Sequence, residues 1–198
     1  MGIFDVFKKN KTNKMDIFDI PYDYDGYDIV FEEGKTDVKL YDEFNKIVTN
    51  ERFDINILDE YKKLSKELNI DIFYEFYNSW MKNLKSKKII FYLDNSISID
   101  QFAKGINNIL EAIGSDKQIN EQVVVDRYKN ELKNYSFQGN EIEENFKYDI
   151  LEANIIADEL RKIEYELINF FDGYSNNYKA IIKVKDIEKL KTIEEKIK

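Results

Sequence analysis

The chain has 198 residues, 43% of them hydrophobic, which suffices for the core of one domain. It contains no cysteine and no histidine, which excludes disulfides, thiolate or imidazole metal sites, cysteine nucleophiles and any triad built on a histidine base. A net charge of -9 argues against nucleic acid as a partner, because binding a polyanion leaves a basic footprint.

Ile, Lys and Asn, which have AT-rich codons, are abundant, while arginine occurs only as Arg52, Arg127 and Arg161. That pattern reads as the coding bias of a low-GC bacterium. The first segment, 1–14, carries four lysines against Asp5. Its apolar part, Ile3, Phe4, Val6 and Phe7, is too short for a secretory signal, and the lysines follow it rather than lead it. It is expected to dock on the body as a short amphipathic segment; the alternative is a membrane-surface contact through residues 3–9. The longest apolar run is Ile89–Leu93, against roughly 20 residues for a spanning helix, so a cytoplasmic protein without integral membrane association is expected.

Residues 15–198 read as a single α+β domain. Its acidic lead-in, 15–35, holds a net charge of -7 over Met15–Gly34. Within it, Tyr22-Asp23-Tyr24-Asp25-Gly26-Tyr27-Asp28 places Asp23, Asp25 and Asp28 as candidate oxygen ligands for a hard cation. The match to a calcium-binding loop is poor: counted from Asp23, Gly26 comes at the fourth position instead of the sixth, and Gly34 stands where the bidentate glutamate belongs. An exposed turn is the competing reading, with Tyr22, Tyr24 and Tyr27 available for contacts and a short strand at Tyr27–Phe31.

The helical part, 36–85, shows three amphipathic stripes. Leu40, Phe44, Ile47 and Val48 predict a helix near 37–49. Ile57, Leu58, Tyr61, Leu64 and Leu68 predict one over 56–68. Phe73, Phe76, Tyr77, Trp80 and Leu84 predict one over 71–85. The last stripe is wide and aromatic, so Tyr74 and Trp80 are candidates for a partner surface, with core packing as the default.

In the sheet-containing part, 86–198, Lys88–Leu93 reads as a buried strand. Ser98 and Gln101 have capping-box spacing, Phe102, Ile106, Ile109, Leu110 and Ile113 line one helix face, and Gly114 is placed to end that helix. Asp94, Asp100 and Asp116 surround it, and ordinary capping accounts for the first two. Residues 119–135 lean to helix and Asn134–Asn145 to loop. The remainder reads α-β-β-α: a helix bearing Ile150, Ala153, Ala157 and Leu160, strands at Tyr165–Phe171 and Tyr178–Val184, then a helix bearing Ile187, Leu190, Ile193 and Ile197. Alternation in the second strand assigns Lys179 and Lys183 to the face opposite Tyr178, Ala180, Ile182 and Val184. The expected architecture is a small, mostly antiparallel sheet of at least three strands, with helices over one face.

Two places resemble a family of bacterial domains that has no assigned function. One is Phe91-Tyr92-Leu93-Asp94 leading to a capped helix. The other is Ala157–Ile163 running into Leu167–Tyr178, with its Asp/Ser/Asn-rich turn. The resemblance covers the C-terminal half, implies a small intracellular α+β module and transfers no catalytic residue. With no nucleotide or hydrolase motif present, the expected role is a non-catalytic binding or regulatory module of immunity or adaptor type. It would need no cofactor and would face a protein partner with a basic surface. The alternatives are a carboxylate-based hydrolase using Mg²⁺ or Mn²⁺, and a peripheral membrane scaffold.

Overall fold

A computed structural model describes residues 15–16, 27–30, 38–53, 70–92, 97–136, 141–171 and 177–197. In chain order these form β1 (Met15–Asp16), β2 (Tyr27–Val30), α1 (Val38–Val48), α2 (Ile70–Ser86), β3 (Phe91–Tyr92), α3 (Ile99–Ala112) and α4 (Glu121–Leu132). They continue with β4 (Tyr135–Ser136), α5 (Glu141–Lys162), β5 (Tyr165–Phe171), β6 (Asn177–Lys183), a 3-10 turn at Val184–Asp186, and α6 (Ile187–Ile197). The expected helix at 56–68, the segment 1–14 and the tip of the last hairpin lie outside the described residues.

Strands β5 and β6 form the expected antiparallel hairpin, in register from Tyr165 opposite Lys183 to Phe171 opposite Asn177. Strand β3 adds antiparallel to β6, and β2 adds parallel to β5, giving the order β2-β5-β6-β3. The sheet is thus mostly antiparallel and the fold α+β, as expected. β1 and β4 form a separate, parallel two-stranded pair.

Helices cover both faces of the sheet, which corrects the one-face expectation. Tyr178, Lys179, Ala180, Ile181 and Ile182 are all buried, and successive strand residues point to opposite faces, so neither face is open to water. Phe91 lies opposite Lys179 and stacks on Phe102 of α3 at 5.9 Å, so α3 covers the Lys179 face. On the other face Lys85 of α2 donates to the Tyr178 hydroxyl at 3.0 Å, and α1 packs against β6. Lys179, on the face opposite Tyr178, is only 2% exposed.

The expected loop at Asn134–Asn145 is also corrected: β4 occupies its start, and α5 begins at Glu141. Glu141, Glu143 and Glu144 fall in the first turn of α5.

The α3 helix shows how closely sequence and packing agree. Gln101 accepts the Ser98 backbone N–H at 3.2 Å. At the other end, Gly114 at φ 77 donates to the Glu111 carbonyl while Ser115 donates to that of Leu110, a Schellman ending. In between, Gly105 lets the Phe91 ring approach: a methyl group there would sit 2.6 Å from two ring carbons. Gly to Ala inside a helix normally stabilises by about 1 kcal/mol. Gly105→Ala is expected to lower the melting temperature instead, because the ring must leave its stack on Phe102; a raised melting temperature would show that the contact yields freely.

Candidate functional site

A recess opens among the described residues where three elements end together. The Schellman ending of α3 supplies Gly114 and Ser115, the turn after α5 supplies Ile163 and Glu164, and the open end of the β5–β6 hairpin supplies Tyr165, Lys183 and Val184. The Val184 N–H donates to the Glu164 carbonyl at 3.0 Å and closes that end of the hairpin. The resulting groove encloses about 580 Å³, within the range of ligand clefts.

Its charge runs against that of the chain. Lys117, Arg161, Lys183 and Lys185 line it against Asp116 and Glu164, four cations to two carboxylates, in a protein of net charge -9. Lys117 donates to the Glu164 carboxylate at 2.5 Å. That bond raises the Lys117 pKa and lowers that of Glu164, but both side chains are well exposed and the pair is screened by water. Arg161 is held more firmly: its Nε donates at 2.9 Å to Glu166, whose carboxylate is buried. The Arg52 guanidinium packs close to Gly114, where an added side chain would meet it. Glu164 itself has φ 68, a left-handed conformation unusual for a residue with a side chain.

A second groove, of about 460 Å³, lies between α1 and the 3-10 turn with α6. Its charges balance, with Glu43, Glu51 and Asp186 against Lys46, Lys185 and Lys189. Much of this charge is paired internally: Lys46 with Asp42 at 2.6 Å, and Lys189 with Asp186 at 2.7 Å.

The titratable group best tuned to neutral pH sits elsewhere. Glu152 of α5 is 7% exposed, and burial pushes its pKa up to about 7. The Tyr128 hydroxyl of α4 hydrogen-bonds to it and partly offsets the shift, while the charges of Asp149 and Asp100 add to it. Burial likewise raises the Tyr128 phenol, and raises Asp149 against the pull of Lys179. Lys179 in turn donates to Asn169 directly across the hairpin. Such a cluster has the components of acid–base chemistry. Neither groove is lined by any of its members, so the titrating carboxyl and the open recesses are separate.

The residues singled out from sequence scatter. Tyr27 and Asp28 lie on β2 at the levels of Ile168 and Asn169, while Tyr22, Asp23, Tyr24 and Asp25 lie outside the described residues. Tyr74 lies on α2. Trp80 is a core residue and not part of an interaction surface: it is 1% exposed, with Tyr41 packed edge-on at 5.1 Å and Phe44 at 6.1 Å. Asp100 is exposed and its pKa is lowered chiefly by a hydrogen bond with Ser98, as expected of a capping-turn acid, and Asp116 is also exposed. Among the described residues no three acids come together in a way that could hold a metal ion. No described helix is long and apolar enough to cross a membrane.

Sequence reasoning passed over Glu152, Lys179 and Arg161. The one usable signal was Lys179 inside a run of five strand residues, four of them apolar or aromatic, which is more consistent with a strand covered on both faces than with a half-exposed one. Comparison of the chain with protein-family models, with curated proteins and with solved structures finds no match, so the fold and the two grooves stand on their own geometry.

Proposed function

We propose that this chain works by recognition, as a non-catalytic binding or regulatory module of the immunity or adaptor kind. The observation behind this reading is the separation just described. A catalytic carboxyl must reach the proton it moves, within hydrogen-bond distance of a bound substrate. Glu152, the carboxyl with a pKa near neutrality, is buried beside Tyr128 of α4, while the recesses are lined largely by lysines, arginine and acids that do not include it. The charge surplus of -9 favours a partner with basic surface, because opposite net charge speeds encounter.

The test is affinity purification of the tagged full chain from its native host, followed by reconstitution with the captured protein. The expected result is one partner forming a stoichiometric complex that weakens as salt rises. Absence of any specific partner, or divalent-metal-dependent hydrolysis of a generic phosphoester by the purified chain that disappears in Glu152→Gln, would overturn the reading.

A further inference from the structure

We propose that the cationic groove between the end of α3, the turn after α5 and the end of β6 takes an acidic segment of a partner protein, with an apolar side chain among its carboxylates. This deepens the recognition reading and rests on it.

Charge selects the acid. Lys117, Arg161, Lys183 and Lys185 outnumber Asp116 and Glu164 in the lining. Among the described residues, Lys117 and Arg161 have ion-pair partners in Glu164, Glu166 and Asp158, whereas Lys183 and Lys185 have none. The net charge of the whole chain does not cancel this local surplus at contact range, since charges separated by more than about 8–10 Å are screened at physiological salt. Long-range approach and local docking therefore follow different charges.

Preorganisation also favours binding here. Glu166 is buried and fixes the Nε edge of Arg161, so little side-chain freedom is lost when an anion docks. Arginine is the residue suited to planar, bidentate carboxylate contacts, and Arg161 lies in the lining of this groove. The Glu164 lip keeps a left-handed backbone that a glycine would adopt more readily, with its carboxylate on Lys117.

The apolar component selects a peptide over a bare anion. Val184 is 42% exposed although it is a large aliphatic residue, and it lies in the lining beside Ile163 and Tyr165. A free phosphate would leave that surface uncovered. A segment carrying a leucine or phenylalanine between acids would bury it while its carboxylates meet the lysines.

The probe is a fluorescein-labelled peptide alternating Glu and Leu, titrated with the intact chain by fluorescence anisotropy, with a Lys/Leu peptide as control. The expected result is salt-sensitive binding of the acidic peptide alone, weakened roughly tenfold or more in Lys183→Glu/Lys185→Glu. Lys129→Glu/Lys133→Glu, on α4 and at its C-terminal cap, is expected to leave it unchanged. Lys185→Glu alone, on the 3-10 turn, is the fallback if the double variant does not fold, with a smaller loss in the same direction. Equal binding of the Lys/Leu peptide, an equal loss in the α4 variant, or displacement by inorganic phosphate as readily as by unlabelled peptide would each overturn the proposal. A native partner that co-purifies equally with wild type and with Lys183→Glu/Lys185→Glu would overturn the groove while leaving the recognition reading intact.

Discussion

Glu152→Gln is expected to stabilise the protein by about 3 kcal/mol at pH 8 and by almost nothing near pH 4. The carboxyl titrates near 4.5 in an unfolded chain and near 7 in the fold, because burial beside Tyr128 of α4 disfavours its charged form. A group whose folded pKa is raised binds its proton more tightly in the native state. Its contribution is therefore most favourable below pH 4.5, erodes as pH rises, and reaches its full penalty once pH exceeds about 7. Glutamine has the shape of the protonated acid and can still accept from Tyr128, but it carries no charge to desolvate. The measurement is urea denaturation of both proteins at the two pH values. A gain of the same size at both, or a loss at pH 8, would mean that the ionised carboxylate is solvated or compensated in the fold.

The opposite sign is expected at Asn107. This α3 residue is buried, and its amide reproduces a strand-like pair with the backbone of Ile119: Nδ2 donates to the Ile119 carbonyl at 3.1 Å, and Oδ1 accepts the Ile119 N–H at 3.0 Å. The same Nδ2 donates to Glu121 at 3.0 Å, in the first turn of α4. One side chain thereby fixes where α4 starts. Asn107→Ala leaves a backbone donor and a backbone acceptor unpaired at a buried residue, at a cost of about 3 kcal/mol for the two groups. Asn107→Asp keeps the acceptor but turns the donor into a second acceptor facing a carbonyl and Glu121, so it is expected to be no better near neutral pH. Urea midpoints compared with wild type check both; a loss below about 1 kcal/mol for the alanine variant would show that water replaces the amide.

Much of the architecture was legible from periodicity. The α1, α2 and α3 stripes, the Ser98 start and Gly114 end of α3, and the final hairpin all follow from local rules, because each depends on residues within a few positions of one another. Where glycine is scarce, the same rules lose their markers. Lys88 and Glu164 adopt the left-handed conformation just past α2 and α5 that Gly114 adopts past α3, and nothing in their side chains announces it, whereas Asn50 past α1 is of a type that favours it. The early start of α5 at Glu141 was hidden for a related reason, since a polar, acid-rich first turn reads as loop until the helix it opens is seen.

The sites were much less legible. Asp23, Asp25 and Asp28 stood out because they are close in sequence, whereas the groove joins Gly114, Arg161 and Lys183 from three separate elements. Trp80 looked like a surface candidate because an aromatic stripe has the same spacing whether a partner or Tyr41 and Phe44 cover it.

Composition alone removed imidazole and thiol chemistry, set the surplus of negative charge, and with periodicity specified an α+β chain; these depend only on which residues are present and how they repeat. Tertiary structure decided that both faces of the sheet are covered, that Lys179 and Glu152 lie inside, and that cations gather at one end of an acidic protein. Burial and electrostatic environment are set by groups far apart along the chain, so they come into being only when those groups are packed together.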